Sequence, residues 1–203
     1  MNQWMQLANE SKIERTVSAL KANGIDALVA ENGDEAKRKI LELLPAGAEV
    51  MDMTSTTLDT IGISKEIQDS GKFNSVRKKL FSMDRKTQSS EMRKIGSAPD
   101  WAIGSVHAVT EDGNVLIASA SGSQLPAYAF GAAHVIWVVG IQKIVKNIEE
   151  GMKRIYEYSL PLESERARKA YGVPGSSVNK LLITNKEMPG RITLIFVKEN
   201  LGF

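Results

Sequence analysis

Apolar residues along the chain alternate between helical spacing and short continuous runs. Helical spacing predicts helices at Ile13 to Leu20, Ala36 to Leu44, Leu58 to Ile67, from about Ser123, and at Ile148 to Ile155. Short runs predict strands at Ile25 to Ala30, Ala48 to Met53, Trp101 to Val109, Val115 to Ala118 and Val135 to Val139. Asp34 is predicted to cap the second helix. This alternation is typical of a layered α/β domain.

The last part of the chain has a different pattern. Pro161 is predicted to stop the helix before it, because proline lacks the N–H that a helix interior needs. Residues 163–179, charged at first and then rich in glycine and serine, predict a loop excursion without chemistry. Leu181 to Thr184 and Ile192 to Val197 flank Met188-Pro189-Gly190 and predict a C-terminal hairpin.

The composition fits this class and excludes several chemistries. The chain has 203 residues, 42% hydrophobic and 25% charged, which predicts one soluble domain over residues 1–203. It has no cysteine, which excludes a disulfide framework, a cysteine nucleophile and a thiolate metal site. The chain has only two histidines, His107 and His134, which excludes a multi-histidine metal centre. A metal site built on carboxylates remains an alternative. We expect no metal and no cofactor.

No segment predicts export or a membrane span. The longest apolar stretch, residues 132–141, is far below the roughly 20 residues of a spanning helix. Residues 1–16 lack the apolar core of a signal peptide. We therefore expect a cytoplasmic protein without a membrane partner.

Hydroxyl residues lie at a first predicted strand-to-helix junction: Thr54, Ser55, Thr56 and Thr57. Backbone N–H groups and the positive end of the helix dipole converge at such a junction, so it is suited to a phosphate or carboxylate. Plain N-capping by Thr54 or Ser55 explains the same residues without a ligand.

A second junction has the same character and holds Ser119, Ser121, Gly122 and Ser123. Ligands of open α/β sheets bind beyond the carboxyl ends of the strands, and both junctions follow strands. The two together predict a two-point anion site, and two capped helices remain the alternative.

Three further positions are candidates for chemistry. Gly140 and Lys143 follow the most apolar strand, where a lysine can neutralise a ligand anion or extend into solvent. Glu111 stands at a strand end and is the candidate nucleophile or general base, although Asp112-Gly113 beside it also predicts a simple hairpin turn. His107 is more typical of a packed histidine than of a catalyst.

Several motifs, in order, resemble the LUD domain, the lactate-utilisation family. The resemblance covers nearly the whole chain. It is carried by Thr54-Ser55-Thr56-Thr57-Leu58-Asp59-Thr60-Ile61-Gly62, by Asp100 to Gly113, by Ser119 to Leu125, by Val138 to Val145, and by Pro161-Leu162-Glu163 with Arg166.

The resemblance implies a three-layer α/β/α fold with a mainly parallel central sheet. The implied fold is similar to that of the superfamily that includes ribose-phosphate isomerases, glucosamine-phosphate deaminases and CoA transferases. It places Thr54, Ser55, Thr56, Ser121, Gly122, Ser123 and Lys143 in a ligand pocket. The turn around Glu111 is similar to the turn that carries the catalytic glutamate in one class of CoA transferases.

The same resemblance implies a role in growth on L-lactate. The expected ligand is a small anionic metabolite: a carboxylate, a sugar phosphate or an acyl-CoA. If the protein is an enzyme, an isomerase-like or transferase-like activity or a place in a lactate-oxidising system is expected; the alternative is a non-catalytic sensing or regulatory subunit. The resemblance also implies iron–sulfur partner subunits as electron carriers, and this chain cannot hold such a cluster itself because it lacks cysteine ligands. Two-fold symmetry is the commonest assembly, which favours a homodimer.

The net charge of +2 conceals a basic segment between Ser70 and Pro99. The segment holds eight basic and two acidic residues, a net +6, and the rest of the chain is acidic. A solvated helical face is the first interpretation, and a positive rim that attracts anionic ligands is the second. The modest total charge argues against a dedicated nucleic-acid binder.

Overall fold

The structure, a computed structural model, describes residues 2–203. Ten strands form two sheets in this range. The strands are β1 (Asp26–Ala30), β2 (Glu49–Asp52), β3 (Asn74–Ser75), β4 (Trp101–Gly104), β5 (Ala108–Thr110), β6 (Val115–Ser119), β7 (His134–Gly140), β8 (Ile144–Val145), β9 (Lys180–Thr184) and β10 (Ile192–Val197).

The helices connect these strands and cover the sheets. They are α1 (Glu10–Ala22), α2 (Gly33–Leu43), α3 (Thr56–Thr60), α4 (Ile63–Asp69), α5 (Val76–Ser82), α6 (Ser89–Ser97), α7 (Ile148–Arg154) and α8 (Leu160–Tyr171). Two π turns, Ala127–Gly131 and Ile155–Ser159, add to them. None of the helices in residues 2–203 is long and apolar enough to span a membrane.

The central sheet has six parallel strands in the order β1-β10-β7-β4-β2-β3. Its middle strands are buried on both faces. On β10, Leu194 and Phe196 pack toward α1 and the second sheet, whereas Ile195 and Val197 pack toward α2, α3 and α4. Since successive side chains of a strand point to opposite faces, a continuous apolar run such as β10 needs both layers. The result is a three-layer α/β/α arrangement.

The second sheet has the order β8-β5-β6-β9 and mixes directions. β5 pairs antiparallel with β6 and parallel with β8, and β6 pairs antiparallel with β9. A third apolar cluster, which includes Leu116, Ile155 and Tyr158, joins this sheet to the helices at the C-terminal end.

Most predicted elements are confirmed, with three changes of detail. The helix predicted from Leu58 to Ile67 is two helices, α3 and α4, because Gly62 has a φ of +70° and ends the first. The strand predicted over residues 101–109 is divided: β4 belongs to the central sheet and β5 to the second, and the chain crosses between them at Ser105 to His107. Asn32 rather than Asp34 caps α2, where its side chain accepts from the Glu35 N–H at 2.9 Å.

The predicted C-terminal hairpin is wrong. β9 pairs with β6 in the second sheet, and β10 lies between β1 and β7 in the central sheet. The physical reason is burial. β10 is apolar on both faces and gains two parallel neighbours, whereas β9 is a partly exposed edge strand.

The predicted stop at Pro161 is also wrong, and with it the loop over 163–179. The chain stays helical from α7 through the π turn Ile155–Ser159 into α8. The Leu160 N–H bonds to the Ile155 carbonyl, and this wider turn admits a proline at the start of α8. Gly172, with a φ of +67°, ends α8, so only the stretch after Tyr171 is a loop.

Candidate ligand site

A cavity of about 570 Å³ lies where the segments that follow β2, β4, β6 and β7 meet residues 155–178. β2, β4 and β7 are parallel, so their carboxyl ends share one edge of the central sheet. This is the expected place for a ligand in an α/β sheet. Eight hydroxyl residues line the sheet side: Thr54, Ser55, Thr56, Thr57, Ser105, Ser119, Ser121 and Ser123.

The first junction is held in place by a buried ion pair. Arg77 on α5 donates to the Asp52 carboxylate at 3.4 Å and to the Asp52 carbonyl at 3.2 Å. Its other nitrogen donates to the Thr54 hydroxyl at 3.0 Å. Asp52 is fully buried, and desolvation raises the pKa of its carboxyl against the opposing effect of Arg77. Arg77 thereby ties the end of β2 to the hydroxyl loop.

N-capping accounts for part of this junction. The Ser55 hydroxyl accepts from the Leu58 N–H at 3.4 Å, as the capping alternative predicted. α3 has only five residues, so its dipole is weak support for an anion. The positive charge at this site therefore has to come from side chains.

Lys143 supplies one such charge. Its ammonium nitrogen lies 3.3 Å from the Thr57 hydroxyl, 3.1 Å from the Ser105 hydroxyl and 3.2 Å from the Val106 carbonyl. The side chain is buried and lines the cavity, which excludes the solvated alternative. Burial and the cationic Arg154 hold the pKa of Lys143 well below its ordinary value.

Arg154 is a second buried cation, directly behind the cavity wall. It lies at the junction of α7 and the π turn, where one nitrogen donates to the His107 carbonyl at 2.5 Å and to the Ser159 hydroxyl at 3.1 Å. Its Nε and Nη2 atoms are buried without a hydrogen-bond partner in residues 2–203. Desolvation lowers the pKa of Arg154 to about 10. In the described part of the chain, no carboxylate pairs with Lys143 or Arg154.

His107 lies near both cations, on the segment that crosses from one sheet to the other. Its Nδ1 accepts from the Ala118 N–H at 3.1 Å. Burial, Lys143 and Arg154 lower the pKa of His107 to about 3. The ring is therefore neutral with its proton on Nε2, and the residue is part of the cavity lining.

The second junction is a compact turn and not the start of a long helix. The Ser119 hydroxyl accepts from the Gly122 N–H at 2.8 Å, and the Ser121 hydroxyl accepts from the Ser123 N–H at 3.2 Å. A short helical segment with the π turn Ala127–Gly131 follows. The π turn brings Tyr128 onto the cavity.

The structure brings eight of the ten predicted ligand-binding residues onto one cavity and leaves two outside its lining. Gly122 is not part of the lining; it has a φ of +83° and leaves room for the Lys180 side chain. Gly140 packs against the backbone of Glu199 and Leu201 and supports the end of β7 instead.

Glu111 also lies outside the lining of the cavity. Its carboxylate pairs with Lys12 at 3.3 Å and with Arg15 at 3.1 Å, both on α1. This placement gives no support to the prediction that Glu111 is the catalytic carboxylate. Among residues 2–203 there is no cluster of three histidine or acidic side chains that could hold a metal ion.

Sequence reasoning missed Arg154 and the wall formed by α8. Arg154 is a basic residue in the last turn of α7, a position where basic residues are favourable in any helix. The local sequence therefore does not indicate that its side chain is buried. Glu163 and Arg166 line the cavity, although their segment was predicted to be a loop. Two residues of the basic segment contribute to the site. Arg85 is part of the cavity lining, and Arg77 donates a hydrogen bond to the Thr54 hydroxyl at the first junction.

Comparisons with known proteins agree with this fold. A family model described as LUD domain matches residues 13–197. The chain is similar to a solved structure, a DUF162 family protein from Deinococcus radiodurans, with a TM-score of 0.59 and 12% sequence identity. The match covers 95% of this chain and 99% of that chain. At this identity the likeness shows the fold alone. No curated protein matches the sequence.

Proposed function

Because the chain belongs to the LUD domain family, we propose that it serves lactate utilisation by binding an anionic metabolite in the cavity at Lys143. The observation that carries this proposal is the pair of buried cations, Lys143 and Arg154, without a carboxylate partner in residues 2–203. Burying an unpaired charge is costly. A bound anion offsets that cost for both cations.

The surroundings of Lys143 suit an oxyanion. The Ser105 hydroxyl accepts from its ammonium group and can donate to an incoming oxygen. The Thr57 hydroxyl also accepts from the ammonium group, and its own proton is donated to the Leu201 carbonyl at 3.3 Å. The Nε2–H of His107 adds a neutral donor on the same cavity. Carboxylates and phosphates both accept such bonds, and charge-assisted bonds are about twice as strong as neutral ones.

The second candidate function is a non-catalytic sensing or regulatory subunit. One feature of the cavity lining favours it: the histidine and the carboxylate of the lining are already hydrogen-bonded. A carboxylate or imidazole that acts as a general base has to be free to take a proton. His107 already accepts a hydrogen bond at Nδ1. The Glu163 carboxylate already accepts two hydrogen bonds of 2.7 Å from the Arg166 guanidinium. Within the described residues, Glu163 is the only carboxylate of the lining.

Partners follow from the same proposal. The chain has no cysteine to ligate an iron–sulfur cluster, so any such cluster that accepts electrons from lactate would be held by a partner subunit. We also propose a homodimer, which light scattering of the purified protein tests directly.

The test of the proposed function is a binding titration. Isothermal calorimetry with L-lactate, pyruvate, inorganic phosphate, ribose 5-phosphate and coenzyme A measures affinity for the wild-type protein and for Lys143→Met. We expect at least one anion to bind and Lys143→Met to weaken it roughly 10- to 150-fold, since a charge-assisted hydrogen bond contributes about 1.5–3 kcal/mol.

The matched control is Lys186→Met. Lys186 is exposed in the connection between β9 and β10, so its replacement removes the same charge without touching the cavity. Equal affinities of the two variants, or no binding of any anion by the wild-type protein, would contradict the proposal. A turnover assay on each bound anion then separates an enzyme from a sensor.

A further inference from the structure

The cavity has a second wall whose chemistry differs from that around Lys143. This wall is formed by α8 and the loop that follows it, and its apolar lining residues are Leu160, Ala167, Tyr171, Val173 and Val178. Its charged residues cancel, because Arg166 donates two bonds of 2.7 Å to the Glu163 carboxylate. A ligand that fills the cavity therefore meets unpaired positive charge on one wall and a largely apolar, neutral surface on the other.

Tyr171 gives this second wall a surface for stacking. The Arg166 guanidinium lies 5.3 Å from the centroid of the Tyr171 ring and covers one face. The side chain is nevertheless 62% exposed and lines the cavity, so the remaining face is open. A tyrosine that is backed by arginine is well suited to stacking a planar ring.

The cavity is too large to be filled by a small acid alone. A three-carbon hydroxy acid has about six non-hydrogen atoms, and six waters occupy roughly 180 Å³ at about 30 Å³ each. That is about a third of the cavity, whose volume is about 570 Å³. The rest of the space lies beside hydroxyls of Ser176 and Ser177 and beside Tyr171, which suit the polar edge and the flat face of a heteroaromatic ring.

We propose that the ligand is a nucleotide-like anion, with a phosphate or carboxylate at Lys143 and a planar heteroaromatic ring stacked on Tyr171. This inference rests on the proposed function, because it uses the same anion site, and it adds the second half of the ligand. The hydroxyls of the second wall bind the ring edge, and the apolar residues exclude water from its faces.

The test compares ligands that share a phosphate and differ in the ring. AMP, GMP, CMP and UMP are titrated against ribose 5-phosphate and inorganic phosphate by calorimetry. At least one nucleotide is expected to bind more tightly than ribose 5-phosphate. Tyr171→Ser is expected to weaken that nucleotide about 5- to 150-fold, because stacking on an aromatic side chain contributes about 1–3 kcal/mol per base, and to leave ribose 5-phosphate unchanged.

Tyr156→Ser is the matched control. Tyr156 is an exposed tyrosine of the neighbouring π turn and does not line the cavity, so its replacement should change no affinity. Thermal unfolding of each variant confirms that it is folded.

Two failures can be told apart. If ribose 5-phosphate or phosphate binds and Lys143→Met weakens it, but the nucleotides bind no more tightly, the nucleotide-like ligand is wrong and the proposed function stands. The same holds if Tyr171→Ser weakens ribose 5-phosphate and nucleotide equally. If no anion binds, both proposals are overturned.

Discussion

The Nδ1 atom of His107 accepts a hydrogen bond from the backbone N–H of Ala118 at 3.1 Å. A protonated imidazole has no acceptor nitrogen, so charging His107 breaks this bond. It also adds a positive charge beside Lys143 and Arg154, which already lower the pKa of His107 to about 3 together with burial. The histidine is therefore held neutral by a backbone contact, by desolvation and by two cations.

The first prediction is that His107 stays neutral through mildly acidic pH. The chain has two histidines, so ¹³C or ¹⁵N NMR of labelled protein shows two ring spin systems. His134→Gln, which replaces a ring stacked on Trp101, assigns the remaining signal to His107. The His107 signal should show no titration between about pH 7 and pH 5, because about pH 5 is still roughly two units above the lowered pKa of about 3. A midpoint near the usual histidine value would contradict this.

Stability should follow the same shift. The unfolded chain takes up a proton at His107 near its ordinary pKa, and the folded chain does so only near about pH 3. His107 therefore lowers the stability of the fold progressively as the pH falls from about 6.5 toward 3. In urea unfolding, His107→Gln should lose part of the pH dependence that the wild-type protein and His134→Gln retain.

A second prediction concerns the pH dependence of anion binding. The pKa of Lys143 is well below its ordinary value in the free protein, and a bound anion favours the charged lysine and raises that pKa. At pH values between the lowered pKa of the free protein and the higher pKa of the complex, binding therefore takes up a proton, and affinity should fall as the pH rises through that window. Calorimetry in buffers of different ionisation enthalpy measures the proton uptake. Lys143→Arg keeps its charge, so uptake by the variant equal to that of the wild type would show that another group titrates.

A third prediction concerns the ion pair behind the first junction. Arg77→Met removes the charge partner of the buried Asp52 and a bond to Thr54, so it should destabilise the fold by about 3–5 kcal/mol. Lys78→Met on the same helix removes an exposed pair with Asp69 and should cost under about 1 kcal/mol. Chemical denaturation measures both. Similar losses in the two variants would show that Arg77 does not stabilise Asp52.

A fourth prediction compares two glycines that have different surroundings. A Cβ on Gly140 would lie 2.8 Å from the Glu199 carbonyl oxygen and 2.8 Å from the Leu201 nitrogen, so Gly140→Ala should destabilise by about 1–3 kcal/mol. A Cβ on Gly96 meets nothing closer than a Leu80 methyl at 3.6 Å. Gly96→Ala lies inside α6 and should stabilise by about 0.5–1 kcal/mol. A destabilised Gly96→Ala together with an unchanged Gly140→Ala would contradict both assignments.

The sequence predicted local elements well where the pattern itself carries the physical cause. The helix at Ile13 to Leu20 and the strands at Ile25 to Ala30 and Val135 to Val139 are confirmed by α1, β1 and β7. In each case the spacing of apolar residues reflects burial of a face or a run, and burial is what stabilises the element. The hydroxyl junctions were predictable as strand ends, but the first follows β2 of the central sheet and the second follows β6 of the second sheet, so only the fold brings them to one cavity.

Partners distant in sequence were not predictable. β9 and β10 are near neighbours along the chain, yet one pairs with β6 and the other lies between β1 and β7. Pro161 looks like a stop, yet the π turn before it carries the helix onward to Tyr171. Both outcomes depend on packing against other elements, which a local pattern does not contain.

By itself, then, the sequence determined the alternating α/β pattern, the absence of cysteine chemistry and the hydroxyl residues at two strand ends. Only the tertiary structure placed Lys143 and Arg154 together in the interior without a carboxylate, and moved Glu111 to ion pairs with α1. The reason is that the meaning of a charged residue depends on its desolvation and on its neighbours in space. Both are properties of the folded chain, whereas the spacing of apolar residues is a property of the sequence.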